Sequence, residues 1–168
     1  MELVYSRDFP IETVYVDRFG RLKPSMILYF AQEVAGRHFD RISMDYDALA
    51  QKGMIWAIIR QKVQITRLPR EHETITIETW PMPTTRTAYP RSIVALDKNG
   101  QELFRAISLW VLMDTETRAM VLPGKSGVDV EGMGTLMEML DEIRQTYDLS
   151  IFFSTQRSRK EAMRVMVR

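Results

Sequence analysis

The chain contains no cysteine. That absence removes disulfides, thiolate nucleophiles and thiolate metal ligands together, and it fits a cytoplasmic protein without requiring one. Histidine is nearly as scarce, with His38 and His72 alone. With only two histidines and no cysteine, neither a structural zinc nor a metal-dependent hydrolase site is expected. No serine stands in a Gly-x-Ser-x-Gly elbow, which sets aside the usual serine hydrolase, and no glycine-rich phosphate loop is present. An excess of one charge is missing as well. Lys and Arg number 23 against 22 Asp and Glu, a formal net charge of +1, without the basic surplus of a nucleic-acid binder. Apolar runs such as residues 54–59 fall far short of the roughly 18 residues a membrane span needs. The opening MELVYSRDF lacks a basic region followed by an apolar stretch, so no signal peptide is read. The expectation is a soluble cytoplasmic protein without metal, cofactor, nucleic acid or membrane partner.

What the chain does have is patterning. Its 168 residues suit one domain with an appendage, and a chain of that size buries roughly 70% of the surface its unfolded form exposes. A strand is read over residues 9–16, followed by the turn Asp17-Arg18-Phe19-Gly20, with Asp and Gly where a type I turn favours them. From Pro24 the period changes. Ile27, Phe30, Ala31, Val34, Ala35 and His38 share one side of a helix, and Pro24 suits its first turn. A short helix over residues 43–51 ends at Gly53. Then strands begin, with Ile59, Val63 and Ile65 alternating against Arg60, Lys62 and Gln64, and Ile75 and Ile77 against Thr74, Thr76 and Glu78; each is expected to have one dry face. Asp97-Lys98-Asn99-Gly100 is a hairpin connection between a strand at 92–96 and a long one at 102–113. The latter is apolar on both faces and belongs in the middle of a sheet. One helix against a long antiparallel sheet is an α+β layer arrangement. Thr135 and Glu138 have capping-box spacing before an amphipathic stripe reaching about Tyr147, which predicts a last helix. Beyond it Arg157, Arg159, Lys160, Arg164 and Arg168 face the single acid Glu161, a basic tail.

The order of strand, turn, buried helix and antiparallel strands carries a specific text: Val16-Asp17 and Gly20, then LYFAQEVAGRHF, IWAIIRQKVQITRLP, ETITIETWP and ISLWVLMDTETR. In these residues the chain resembles the acyl-acyl carrier protein thioesterase family of the hot-dog superfamily. The resemblance implies a hot-dog domain over residues 1–127, with residues 128–168 as a C-terminal helix and basic tail standing where the family's second hot-dog repeat begins. It implies hydrolysis of fatty acyl thioesters on acyl carrier protein, and, since single-repeat relatives pair, a homodimer. The family's catalytic Asp-x-Asn-x-His stretch lies in the second repeat. No Asn-x-His pair occurs in this chain, so no family catalytic residue carries over.

The chemistry then rests on the residues present, since relatives use a helix or loop carboxylate and a backbone N–H at the carbonyl. Glu33, on the flank of the helix's apolar stripe, is the first candidate for a general base; its plain alternative is a solvated glutamate paired with Arg37, four residues on. Asp17, three residues before Gly20, resembles in its spacing the catalytic aspartate of single-repeat relatives, though a side chain that accepts turn hydrogen bonds is the favoured reading. Gln32, read on the opposite flank from Glu33, is a candidate for orienting water or thioester, or a surface amide. Gly20 would let the backbone approach a carbonyl. Met26, Phe30, Met54, Trp56, Ile58, Trp110 and Leu112 are candidates for the wall of an acyl slot, and ordinary core residues otherwise; the chain's 12 methionines suit an adaptable wall. His38 is read as buried and satisfied by a backbone group, and His72 as exposed in a turn. The competing reading of the whole is a non-catalytic acyl-binding module. A hot-dog dehydratase would need a histidine and a carboxylate working together.

Overall fold

The computed structural model describes residues 4–41, 46–128 and 130. The expected helix at 135–147 and the basic tail lie outside these residues. Six strands form one antiparallel sheet: β1 (Tyr5–Pro10), β2 (Met54–Ile65), β3 (Thr74–Pro81), β4 (Tyr89–Leu96), β5 (Glu102–Asp114) and the short β6 (Met120–Val121). Their order is β1-β3-β4-β5-β2, with β6 on β5. The helix α1 (Pro24–Arg41) lies against one face, and α2 (Tyr46–Ala50) and α3 (Pro123–Ser126) are short.

Helix α1 forms where the periodicity places it. Ile27, Phe30, Ala31, Val34, Ala35 and His38 are all buried, joined by Phe39, and the chain enters through Pro24, whose fixed φ suits a first turn. Phe30 stacks obliquely on Phe9, 4.8 Å between centroids, and meets Tyr15 edge-on at 5.2 Å. Each such side chain taken from water stabilises the fold by about 1.5–3 kcal/mol. The expected hairpin also forms: the Gly100 N–H donates to the Asp97 carbonyl, the Asp97 carboxylate accepts from the Asn99 and Gln101 N–H groups, and Gly100 takes φ +76°. Strand β5 is central in its reach, flanked by β4 and β2.

Two expectations fail. The first strand ends at Pro10 rather than spanning 9–16; residues Thr13–Tyr15 make a 3-10 turn, in which the Tyr15 N–H reaches the Glu12 carbonyl. Ile11 and Val16 are both buried although five residues apart, which a strand's period of two would place on opposite faces, and Val14 between them is 66% exposed. In β2 the single dry face breaks. The pairing with β5 shifts register between Ile58 and Arg60, and a bulge of one residue turns every later side chain to the other face. Ile59 is consequently exposed, while Val63, beyond the bulge, packs against the core; Ile65, on the same face as Val63, is exposed at the end of the strand.

Candidate functional site

Glu33 lies on α1 with both of its ion-pair partners on one oxygen. Arg7 Nη1 of β1 is 2.6 Å from Oε1 and Arg37 Nε is 3.2 Å from the same atom. Partial burial works to raise the Glu33 pKa, but the hydrogen bonds and charges of Arg7 and Arg37 outweigh it and hold the carboxyl below the ordinary glutamate value. The pairing with Arg37 is the helix i,i+4 contact the spacing predicts. With Oε1 occupied, Oε2 is the oxygen left to accept a proton. Glu33 and Gln32 line one open groove of about 340 Å³ together with Tyr29, Gly36, Arg37 and Asp40. The two were expected on opposite flanks; the missing side chain of Gly36 between them makes their flanks one surface. This groove is on the side of α1 away from the sheet.

Asp17 does not line it. Its Oδ1 accepts from the Phe19 N–H at 2.8 Å and the Arg21 N–H at 3.1 Å. The Arg21 amide is the largest cause that lowers its pKa. Gly20, at φ +67°, has its N–H donated to the Asp17 carbonyl at 3.0 Å. The turn therefore uses the two groups that a carbonyl would need. His72 takes φ +68° in a second turn and is exposed.

The candidate acyl wall faces the sheet side of α1 and falls into two clusters. Phe30 is buried in the first, with Met26 packed against it. The second holds Met54, Leu112, Leu49 and Tyr89, with Trp56 and Trp110 against them. Its rings interlock: Phe39 stacks on Trp56 at 4.9 Å and meets Trp110 edge-on at 5.8 Å. Ile58 pairs with Trp110 across the β2–β5 ladder, so it shares that face. Val128 and Val130 close the cluster, held by the Ser126 hydroxyl, which meets the Tyr89 hydroxyl at 2.7 Å and accepts from the Val128 N–H.

Between the two clusters runs a polar row that the sequence reading missed. Arg91 of β4 is opposite Ser108 of β5, and Ser108 is opposite Gln61 of β2; residues directly paired in this way share a face. Arg91 is 2% exposed and His38 fully buried. Arg91 Nη1 donates to His38 Nδ1 at 3.0 Å and to Thr79 Oγ1 at 3.2 Å, and its guanidinium lies 4.5 Å from the Phe39 ring centre. An arginine can only donate, so Nδ1 is the acceptor and the imidazole is neutral with its proton on Nε2. Burial lowers the Arg91 pKa to about 9. The signal was available: Tyr89, Arg91, Ile93 and Ala95 share one parity of a strand whose other members on that face are core residues. Among the described residues no group of three His, Asp or Glu side chains is placed to hold a metal.

Comparison with known proteins gives this geometry a context. The sequence model of the acyl-ACP thioesterase N-terminal domain matches residues 2–122. A palmitoyl-acyl carrier protein thioesterase from Cuphea hookeriana is 24% identical over 125 residues, covering 70% of this chain and 30% of that protein. An oleoyl-acyl carrier protein thioesterase from Coriandrum sativum is 30% identical over 96 residues, 53% of this chain and 26% of that protein. The chain thus spans about 30% of the length of the curated relatives it matches. Among solved structures, the 12:0-ACP thioesterase from Umbellularia californica superposes with a TM-score of 0.67 at 24% identity, over 77% of this chain and 55% of that one. An acyl-ACP thioesterase from Bacteroides thetaiotaomicron gives 0.68 at 18% identity, over 89% and 75%. These likenesses establish the α+β hot-dog fold.

Proposed function

The chain belongs to the acyl-ACP thioesterase family, matching its N-terminal domain, and from that premise we propose that it hydrolyses fatty acyl thioesters carried on acyl carrier protein. The observation that carries this reading is the match over residues 2–122, which coincides with the helix-and-sheet unit whose inner face holds two apolar clusters. In the reaction Glu33 Oε2 takes a proton from water, the water oxygen bonds to the thioester carbonyl carbon, and the carbon–sulfur bond breaks. The departing sulfur then takes the proton from Glu33, leaving a free fatty acid and the carrier's thiol. Arg7 and Arg37 fix the carboxylate and keep it ionised. Gln32, in the same groove, orients the water or the thioester. Within one chain Glu33 faces away from the apolar clusters, so the site is completed by a second copy. The open edge of β2, with Ile59 60% and Ile65 42% exposed, supports that pairing, since an unpaired apolar edge strand is a template for another chain.

The second reading, an acyl-binding module without chemistry, is supported by the state of the two candidate carboxylates. Asp17 is engaged by its own turn, and Glu33, with its lowered pKa, is a weaker base than an ordinary glutamate. The discriminating experiment is thiol release from acyl carrier protein and from coenzyme A carrying the same acyl group. The thioesterase reading predicts turnover on the carrier substrate, faster than on the coenzyme A substrate, and a loss of about 10²–10⁴-fold in Glu33→Gln, the usual worth of a general base. Binding of the acyl group without turnover on either substrate would establish the module instead.

A further inference from the structure

Among the described residues, Arg91 is a buried cation without a counter-charge. Among the described residues no carboxylate pairs with it, and Nη2 is buried with no hydrogen-bond partner. A charge removed from water and left unpaired is strongly unfavourable, and such groups are retained where something compensates them. A second orphan lies in the same row. Gln61 Nε2 is buried and also unpartnered, and Gln61 is joined to Arg91 through their common ladder partner Ser108. Strands lie about 4.8 Å apart, so the two Cα atoms are about 10 Å from each other on one face of the sheet. Both orphans are donors, and what fits between them is therefore an oxygen acceptor, best a negatively charged one. The aromatic cluster of Phe39, Trp56 and Trp110 begins at the same point, since Phe39 itself covers the guanidinium. Trp56 and Trp110 are part-buried, so this end of the cluster reaches the surface.

We propose that Arg91 anchors a carboxylate-binding site, taking the head group of an aliphatic monocarboxylate on Nη2 with Gln61 Nε2 as the second donor, while the aliphatic tail lies along Phe39, Trp56 and Trp110. The aliphatic nature of the tail rests on the thioesterase reading; the negative head group rests on the two orphan donors. If that reading holds, the ligand is the reaction's own product class, and the site is one of product retention.

The test compares a medium-chain fatty acid, below its micelle concentration, with the primary alcohol of the same chain length. Binding is followed by the fluorescence of the chain's tryptophans at a pH where the acid is ionised. The site predicts that the acid binds about tenfold or more tightly than the alcohol, the worth of one charge-assisted hydrogen bond. Arg91→Met should abolish that difference, weakening the acid far more than the alcohol, and Arg91→Lys should keep part of it. Equal binding of acid and alcohol by the unaltered chain overturns the proposal and needs no variant. A preference for the acid that survives in a folded Arg91→Met overturns it as well. If Arg91 is instead paired with an acidic residue elsewhere in the chain, the unaltered chain shows no preference for the acid, and Arg91→Met loses stability through the acid left unpaired. The readout involves no hydrolysis, so a chain that prefers the acid yet releases no thiol retains this site and loses the thioesterase reading.

Discussion

Glu33 is the residue on which the chemistry turns, and its surroundings make its behaviour with pH specific. The hydrogen bonds and charges of Arg7 and Arg37 overcome the opposing effect of burial and place its folded pKa below the ordinary 4.5. A depressed carboxylate contributes stability that is present above the unfolded value and lost as pH falls through the folded one. The same sign governs activity: as a base, Glu33 remains ionised below the pH at which an ordinary glutamate protonates. Arg37→Ala removes one of the two guanidiniums and should move the acid limb of the pH–rate profile upward, with little change in thermal stability because the pair is largely exposed. A limb that stays in place would show that another group carries the proton. Sequence spacing made the Glu33–Arg37 pair readable, because residues four apart on a helix are neighbours whatever the fold. Arg7 was unreadable by the same route, since it arrives from β1, 26 positions away in sequence. Arg91 was missed for a different reason. The expected strand begins at 92, whereas β4 starts at Tyr89, so Arg91 falls outside the segment whose parity, shared with Ile93 and Ala95, betrays its burial.

At the scale of elements, periodicity served where one side of an element meets the core without interruption. The stripe of α1 was legible because every member from Ile27 to His38 has its predicted burial, and Phe30 sits at its centre. Phe30→Ala should destabilise the fold by about 3–5 kcal/mol, through lost transfer free energy and the cavity left against Phe9 and Tyr15; the shift of the urea midpoint measures it, and a cost under about 1 kcal/mol would contradict the packing described. The hairpin at Asp97 was legible because its turn chemistry is local. Strand β2 was not, since the bulge at Ile59 exchanges inside for outside without a mark in composition. The first strand failed similarly: Ile11 and Val16 are buried by a turn that brings them to the core from irregular backbone. The two-cluster division of the inner face was illegible because it depends on which strands become neighbours, and the order β1-β3-β4-β5-β2 cannot be read from any one segment.

For the whole molecule, the fold and the family are secured by different observations, and the activity by neither alone. One chain presents Glu33 on the outer side of α1 and the apolar clusters on its inner side, which is why a second copy enters the account. Ile59→Lys tests that pairing without touching the core, because Ile59 is 60% exposed and a charge on an edge strand opposes edge-to-edge association. Sedimentation should show a dimer for the unaltered chain and a shift toward monomer for the variant, with far-UV circular dichroism unchanged; a dimer indifferent to the substitution would move the interface away from β2. The most direct test of the central claim is release of free thiol from acyl carrier protein loaded with short, medium and long acyl groups, by the 168-residue chain and by Glu33→Gln. The account predicts turnover that depends on acyl length and is lost in the variant; a chain shown to be folded that releases no thiol at any length, or a Glu33→Gln variant as active as the unaltered chain, would contradict it.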